Sequence, residues 1–497
     1  MKQTVLLLFA LLLCGIAAAQ VDSDAFKKRQ QQMREEFERQ RSGMRQRYDD
    51  ERKKAEAEYA AFRKKANEEY AAAMERAWQL MGVQPAVPKP KEPAPPVPPA
   101  PKPDAVPPTV PLPQAPVQPP APKEEPVPTP PIPQPAPATP TVQFALYGTG
   151  CSFHADASQL TFRLKSTDEQ SISDVWKSLS KGQYDGMLHD CLAQRDKLRL
   201  GDWGYLQLLQ SATEKLLGTG SNEAVLLQMY LLAQSGYRVR LANADGRLVL
   251  LIPFNTTIYG YSYVTIDGAN YYVIAKDDMK QMKICNVGFP REQTASIILA
   301  SLPLLDSKPQ PQRLFAAERF GTMRAEVSVD KSLINFLNDY PLSENWNYYV
   351  QTGLSDGIKA SLYPALRSQI EGKSQSKAVR MLLDFVQTAF QYATDQDQFG
   401  YERPLFGDES FHYPKNDCED RSILFAILVR DLLGMEVVLV NWPGHLATAV
   451  AFDSEVQGSY FTIGGKRFTV CDPTYIGAGV GETMPQFKDV DAKLVMI

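Results

Sequence analysis

The stretch "DRSILFAILVRDLLGMEVVLVNWPGHLATAVAF", residues 420–452, decides the fold, because a second text in the same chain fits it without a gap. That text is "NEAVLLQMYLLAQSGYRVRLANADGRLVLLIPF", residues 222–254. Gly236 falls on Gly434, Gly246 on Gly444 and Phe254 on Phe452, a constant offset of 198. Each copy reads as an apolar helix, a glycine stop, a strand, a turn and a second strand. Downstream, "IDGANYYVIAKD" (266–277) matches "IGGKRFTVCDPT" (463–474); upstream, Trp176 with Asp185-Gly186 echoes Trp346 with Asp356-Gly357. The expected fold class is therefore α+β: two copies of one unit, each with helices packed on an antiparallel sheet, over residues 143–290 and 291–497.

What precedes the repeat is of another kind. Residues 1–19, "MKQTVLLLFALLLCGIAAA", have one lysine, an apolar run and small residues before Gln20, the pattern of a signal peptide cleaved there. The run is short for a membrane span, and Leu13 before Cys14 is the wrong context for a lipid anchor. The chain is expected to be exported, periplasmic or secreted, with no transmembrane domain beyond the signal segment. Residues 20–82 are charged, alanine-rich and free of proline. Phe26, Phe37, Tyr48, Tyr59, Tyr70 and Met81 recur every 11 residues, a period of about 3.67 residues per turn that suits a long, nearly straight helix in a coil. Self-association through that helix is the expected partner contact. Residues 83–142 are proline-rich and read as a disordered, extended spacer that holds the rest away from the coil; roughly 55 residues would reach on the order of 170 Å.

Net charge is −4, so no basic field points to nucleic acid. Of six cysteines, Cys14 lies in the leader, which leaves Cys151, Cys191, Cys285, Cys418 and Cys471. An odd count in an exported chain leaves at least one thiol free.

The candidate chemistry lies in the second copy. Cys418 stands at the start of the helix that ends at Gly434, where a helix N-terminus and an imidazolium lower a thiol's pKa. His445 opens the strand "HLATAVAF" and Asp472 ends "KRFTVCDPT", the neighbouring antiparallel strand. Neighbouring strands bring side chains about 5 Å apart, so an imidazole and an orienting carboxylate can lie side by side, facing the helix tip. Asp417 and Glu419 suit the helix dipole but oppose thiolate formation. His412, in "GDESFHYPKND", reads as a loop residue, and Cys471 as a core residue on the opposite strand face.

"NDCEDRSILFAILVRDLLG", "GHLATAVAF" and "CDPTY" together resemble the three motif blocks of the transglutaminase-like superfamily of cysteine enzymes. The resemblance implies two tandem papain/transglutaminase-like domains, with Cys418 as nucleophile, His445 as general base and acid, and Asp472 as its orienter. It implies acyl transfer through a thioester, with no cofactor and no metal, on a peptide or protein substrate. In the first copy Gly220, Arg247 and Ala275 stand where Cys418, His445 and Asp472 stand in the second, so that copy reads as inactive. An exported cysteine hydrolase or protease is the expectation; a protein-glutamine transamidase and a non-catalytic envelope scaffold are the alternatives.

Overall fold

Two sheets organise the chain, and their strands come in the same order. The computed structural model describes residues 23–90, 96–101, 107–120, 141–154, 161–275, 279–343 and 345–497. The expected leader lies outside them. The chain forms two units, residues 1–63 and 64–497.

The first element is a helix, α1 (Ser23–Met74). From residue 33 to residue 48 the 11-residue stripe is open to solvent: Met33, Phe37, Met44 and Tyr48 are each more than half exposed. Pairs at i,i+4 such as Arg52–Glu56 support the helix surface. From residue 64 onward the helix belongs to the second unit. There Ala66, Tyr70, Ala71 and Met74 are buried, and Asn67 accepts a hydrogen bond from the Trp176 indole at 3.0 Å. The helix expected to run to residue 82 stops at Met74, and Trp78–Gly82 is a strand, β1. Its 11-residue pattern continues through Met81 only because that residue faces a sheet core instead.

The first half stacks α2 (Glu169–Leu179), α3 (Asp185–Leu198), α4 (Gly201–Leu217) and α5 (Asn222–Gln234) before its strands. These are β2 (Arg240–Ala244), β3 (Arg247–Pro253), β4 (Tyr263–Ile266), β5 (Ala269–Val273) and β6 (Gln281–Cys285). The second half runs α6 (Trp346–Thr352), α7 (Asp356–Ile370), α8 (Gln375–Thr388) and α9 (Cys418–Leu433). Its strands are β7 (Val437–Trp442), β8 (His445–Ala451), β9 (Tyr460–Ile463), β10 (Lys466–Cys471) and β11 (Lys493–Met496). The first sheet is ordered β1-β6-β2-β3-β5-β4 and the second β11-β7-β8-β10-β9, all antiparallel. Counted within each half, both run fifth, first, second, fourth, third. Helices α3 and α7 both begin at the Asp-Gly pairs that the sequence aligned; α5 begins at the aligned Asn222, and α9 two residues before the aligned Asp420, at Cys418. The halves touch through a short antiparallel pair, Ile258–Tyr259 against Leu342–Ser343.

In the proline-rich segment expected as a free spacer over residues 83–142, the described residues 110–118 are tied to the second sheet. Leu112 donates its N–H to Tyr460 O at the edge of β9, while Ala115 and Gln118 donate to Ala492 O and Leu494 O beside and within β11. The Gln114 side chain binds the backbone of Thr462 on both sides. One segment thus bonds to both outer strands and closes the second sheet into a barrel. Leu112 is buried inside it with Trp442, Phe461, Phe468 and Leu494. Residues 78–84 do the same for the first sheet: β1 pairs with β6, and Gln84 exchanges backbone hydrogen bonds with Tyr263 of β4. Closure removes the unpaired edges that invite aggregation. Proline tolerates these positions because the residues that must donate, Leu112, Ala115 and Gln118, are not proline, while Pro113 only accepts, from Ala492.

Candidate active site

The local signals that shape helix α9 put Cys418 at its first position. Asp417 caps it, accepting from the N–H groups of Glu419 and Asp420, and Asp420 returns a bond to the Asp417 N–H. Gly434, left-handed at φ 64, ends it. Residues 423–429 are all fully buried, so the helix is fixed along its length and its tip cannot wander.

His445 is delivered by a tight turn. Trp442 pairs with His445 across the Pro443-Gly444 corner, with Gly444 at φ 71, as a turn with proline second and a positive-φ glycine third requires. The imidazole lies nearly parallel to the rings of Phe487 and Trp442, at interplanar angles of 5° and 11°. Its Nε2 meets Asp472 Oδ2 at 2.9 Å. Asp472 lies just beyond β10, whose register sets Cys471 opposite Thr448, so the pair meets on a diagonal rather than directly across. The other carboxylate oxygen, Oδ1, accepts from the N–H groups of Thr474 and Tyr475 at 2.9 and 3.1 Å. Buried Gln387 holds the following loop by donating to the carbonyls of Asp472, Tyr475 and Ala478. The carboxylate therefore has little freedom, and neither does the ring it holds.

Cys418 and His445 line one cavity of about 210 Å3, together with Asp417, Glu419, Asn441, Gly444 and Leu446. Tyr392, Thr394, Asp395 and Glu402 come from the long loop before the cysteine, Trp346 from α6, and Tyr259 from the first half. The Asp472 contact takes up Nε2 and leaves Nδ1 as the other ring nitrogen. The thiol does not behave as the helix tip alone would dictate. Burial pushes its pKa well above the ordinary value, and Asp417 and Glu419 add to that, while the Leu446 N–H directed at the sulfur opposes it. The neighbouring acids are themselves shifted upward: burial raises Asp417 and Asp420 far above the carboxylate range and Asp395 to about 7.

Two carboxylate groups in this region are close enough to share a cation: Asp395, Asp417 and Asp420, and Asp395, Glu402 and Glu419. The cation that the structure seats there is an ammonium of the chain itself. Lys89, in the proline-rich segment, places Nζ 2.9 and 3.0 Å from the two Glu419 oxygens and 5.4 Å from the centre of the Trp346 ring. Neither Lys89 nor Trp346 was singled out for this role by sequence reasoning, since their contacts span hundreds of residues. Glu419 was noticed only as a charge beside the thiol.

His412 ends the short helix Gly407–His412 and contacts Gln310; it does not line the cavity. Cys471 is fully buried. All five cysteines from Cys151 onward are free thiols. Around the aligned first-half positions there is also a cavity, of about 530 Å3, and Gly220, Arg247 and Ala275 all line it. Among the described residues no helix is long and apolar enough to cross a membrane. Comparison of the chain with protein-family models, with curated proteins and with solved structures returned no match.

Proposed function

We propose that this chain is an exported cysteine hydrolase of transglutaminase-like type, acting on amide bonds of peptide or protein substrates through a thioester. The observation that carries the reading is the pair His445 Nε2–Asp472 Oδ2 at 2.9 Å in the wall of the cavity that Cys418 lines. The shared strand order supports reading the halves as two copies of one papain/transglutaminase-like unit. The first copy keeps the cleft and has lost the chemistry.

Asp472 holds the His445 proton on Nε2, which makes Nδ1 a base. Nδ1 takes the thiol proton as sulfur attacks the substrate carbonyl carbon. The high thiol pKa makes that removal part of the attack, not a prior ionisation. The resulting oxyanion is met by the Cys418 N–H at the helix N-terminus. The imidazolium then gives its proton to the leaving amine, and the thioester remains. Water, deprotonated by the same Nδ1, adds to the thioester; the acid leaves and the thiol is restored.

Transamidation is a second reading favoured by one observation, the primary ammonium of Lys89 within the cleft, since an amine in place of water gives an amide product. Incubating the chain with a glutamine-containing peptide, with and without an added alkylamine, separates the two by product mass. Replacing Cys418 with Ala should remove both products and all labelling by a peptidyl acyl electrophile. Wild-type chain inert to such electrophiles would leave a two-barrel scaffold. The open stripe of Met33, Phe37, Met44 and Tyr48 supports self-association of the helix. Sedimentation of the full chain against one beginning at residue 64 tests that, with a smaller species expected for the latter.

A further inference from the structure

The cleft already contains a side chain that looks like a ligand. Residues 84–90 run between the two barrel-closing segments and are held at Gln84 by Tyr263 and at Val87 by the Gly260 N–H, 2.9 Å from its carbonyl. Lys89 and Pro90 then line the same cavity as Cys418 and His445. The Lys89 side chain is only 5 % exposed, and its ammonium lies between the Glu419 carboxylate and the Trp346 ring. Burial works against its charge, but Glu419 above all, with Glu402, outweighs that and raises the pKa of the ammonium.

The rest of the wall is matched to such a group. Asp395, Glu402, Asp417 and Glu419 all line the cavity, and among the described lining residues no arginine and no other lysine does. A bidentate carboxylate with an aromatic face beside it is a good receptor for an alkylammonium. Without Lys89 the cleft would present Glu419 with no counter-ion, so an entering ligand gains most if it carries a positive group on a flexible stem.

We propose that Glu419, Glu402, Asp395 and Trp346 form a recognition subsite for a primary ammonium side chain of an extended peptide, a lysine or its equivalent, and that Lys89 is an internal occupant which such a substrate must displace. The proposal rests on the reading of this cleft as the substrate site and names the substrate class. Its test is a binding measurement, so that it stands or falls apart from turnover.

Two extended peptides are compared that differ only in lysine against norleucine at one position. Calorimetry is done on full chain carrying Cys418→Ser, with and without Lys89→Met, which keeps the apolar stem. The double variant should bind the lysine peptide at least tenfold more tightly than the norleucine peptide, and more tightly than the Cys418→Ser chain does. Adding Glu419→Gln should erase the preference. Equal affinity for both peptides, or no gain from Lys89→Met, overturns the proposal. Because the Lys89→Met chain loses a buried ion pair, a second measurement uses the wild-type chain. Lys89 should resist acylation by an amine-reactive ester while exposed lysines react, and saturating lysine peptide should expose it. Lys89 reacting as fast as exposed lysines would overturn the proposal too. A preserved lysine preference with a thiol inert to acyl electrophiles would sink the hydrolase and leave the subsite; reactive thiol without preference would do the reverse.

Discussion

Asp472 does two jobs with two oxygens, and replacing it with Asn should separate them. Oδ1 accepts two backbone N–H groups of the loop that follows, and Oδ2 accepts from His445. An asparagine can keep its carbonyl oxygen toward Thr474 and Tyr475, so the loop should stay folded and stability should change by no more than about 1 kcal/mol. Its NH2 then faces Nε2 as a donor and forces that nitrogen to be an acceptor. The ring proton moves to Nδ1, the nitrogen that has to receive the thiol proton. The wrong tautomer at a comparable histidine in a serine protease lowers turnover by about 10⁴, and a loss of 10³ to 10⁴ is expected here. Asp472→Ala should lose turnover as well and also leave two buried donors unpaired, at about 1–3 kcal/mol each. Thermal melting and acylation of Cys418 by a peptidyl electrophile, measured side by side, give both quantities. An Asn chain that melts normally and acylates at the wild-type rate would refute the assigned tautomer and with it the role of His445 as base.

Other outcomes follow from the same geometry. Leu112→Ala removes a buried side chain from the second barrel and should cost about 2–5 kcal/mol, read as a lower denaturant midpoint, although the residue lies in a proline-rich stretch. Gly444→Val places a β-branched residue at φ 71; it should cost roughly 1–2 kcal/mol and lower the acylation rate by shifting His445, whereas Pro443→Ala should do little. Asp395, raised by burial to about 7, binds its proton more tightly folded than unfolded. It therefore weakens the fold progressively as pH rises from about 4 through 7. Melting temperature should fall over that window less steeply in Asp395→Asn, and equal slopes would contradict the assignment. The raised thiol predicts that alkylation of Cys418 by a small neutral reagent still climbs with pH above about 10.5, where a thiol of ordinary or lowered pKa has levelled off.

Much of this was legible because it was local or repeated. The Gly434 stop, the Pro443-Gly444 corner and the apolar alternation of the strands are short-range signals, and the gapless repeat supplied the pairing of elements. The His445–Asp472 contact was inferred from strand order, and the structure brings the two together, though on a diagonal. What composition hid were contacts across long stretches of chain. A proline-rich text says nothing about which of its few donors meet a sheet edge, so Leu112, Ala115 and Gln118 went unremarked. The thiol's environment is legible only in part: the sequence shows the helix tip that favours the thiolate and the two acids that oppose it, but burial, the largest influence, is a property of the folded whole. Lys89 could have been suspected only by asking what neutralises the acids around Cys418.

The closed barrels change where this protein can be cut. Each receives its last stave from chain that precedes it, residues 78–84 for one and 110–118 for the other, so a fragment that starts at residue 291 leaves one sheet unclosed and a fragment that starts at residue 141 leaves both. The transferable module is longer than the composition suggests, and a nick placed after residue 118 and before 141 would spare what a nick at residue 100 would not: the physical continuity between the lysine that fills the cleft and the strand that seals the barrel behind it.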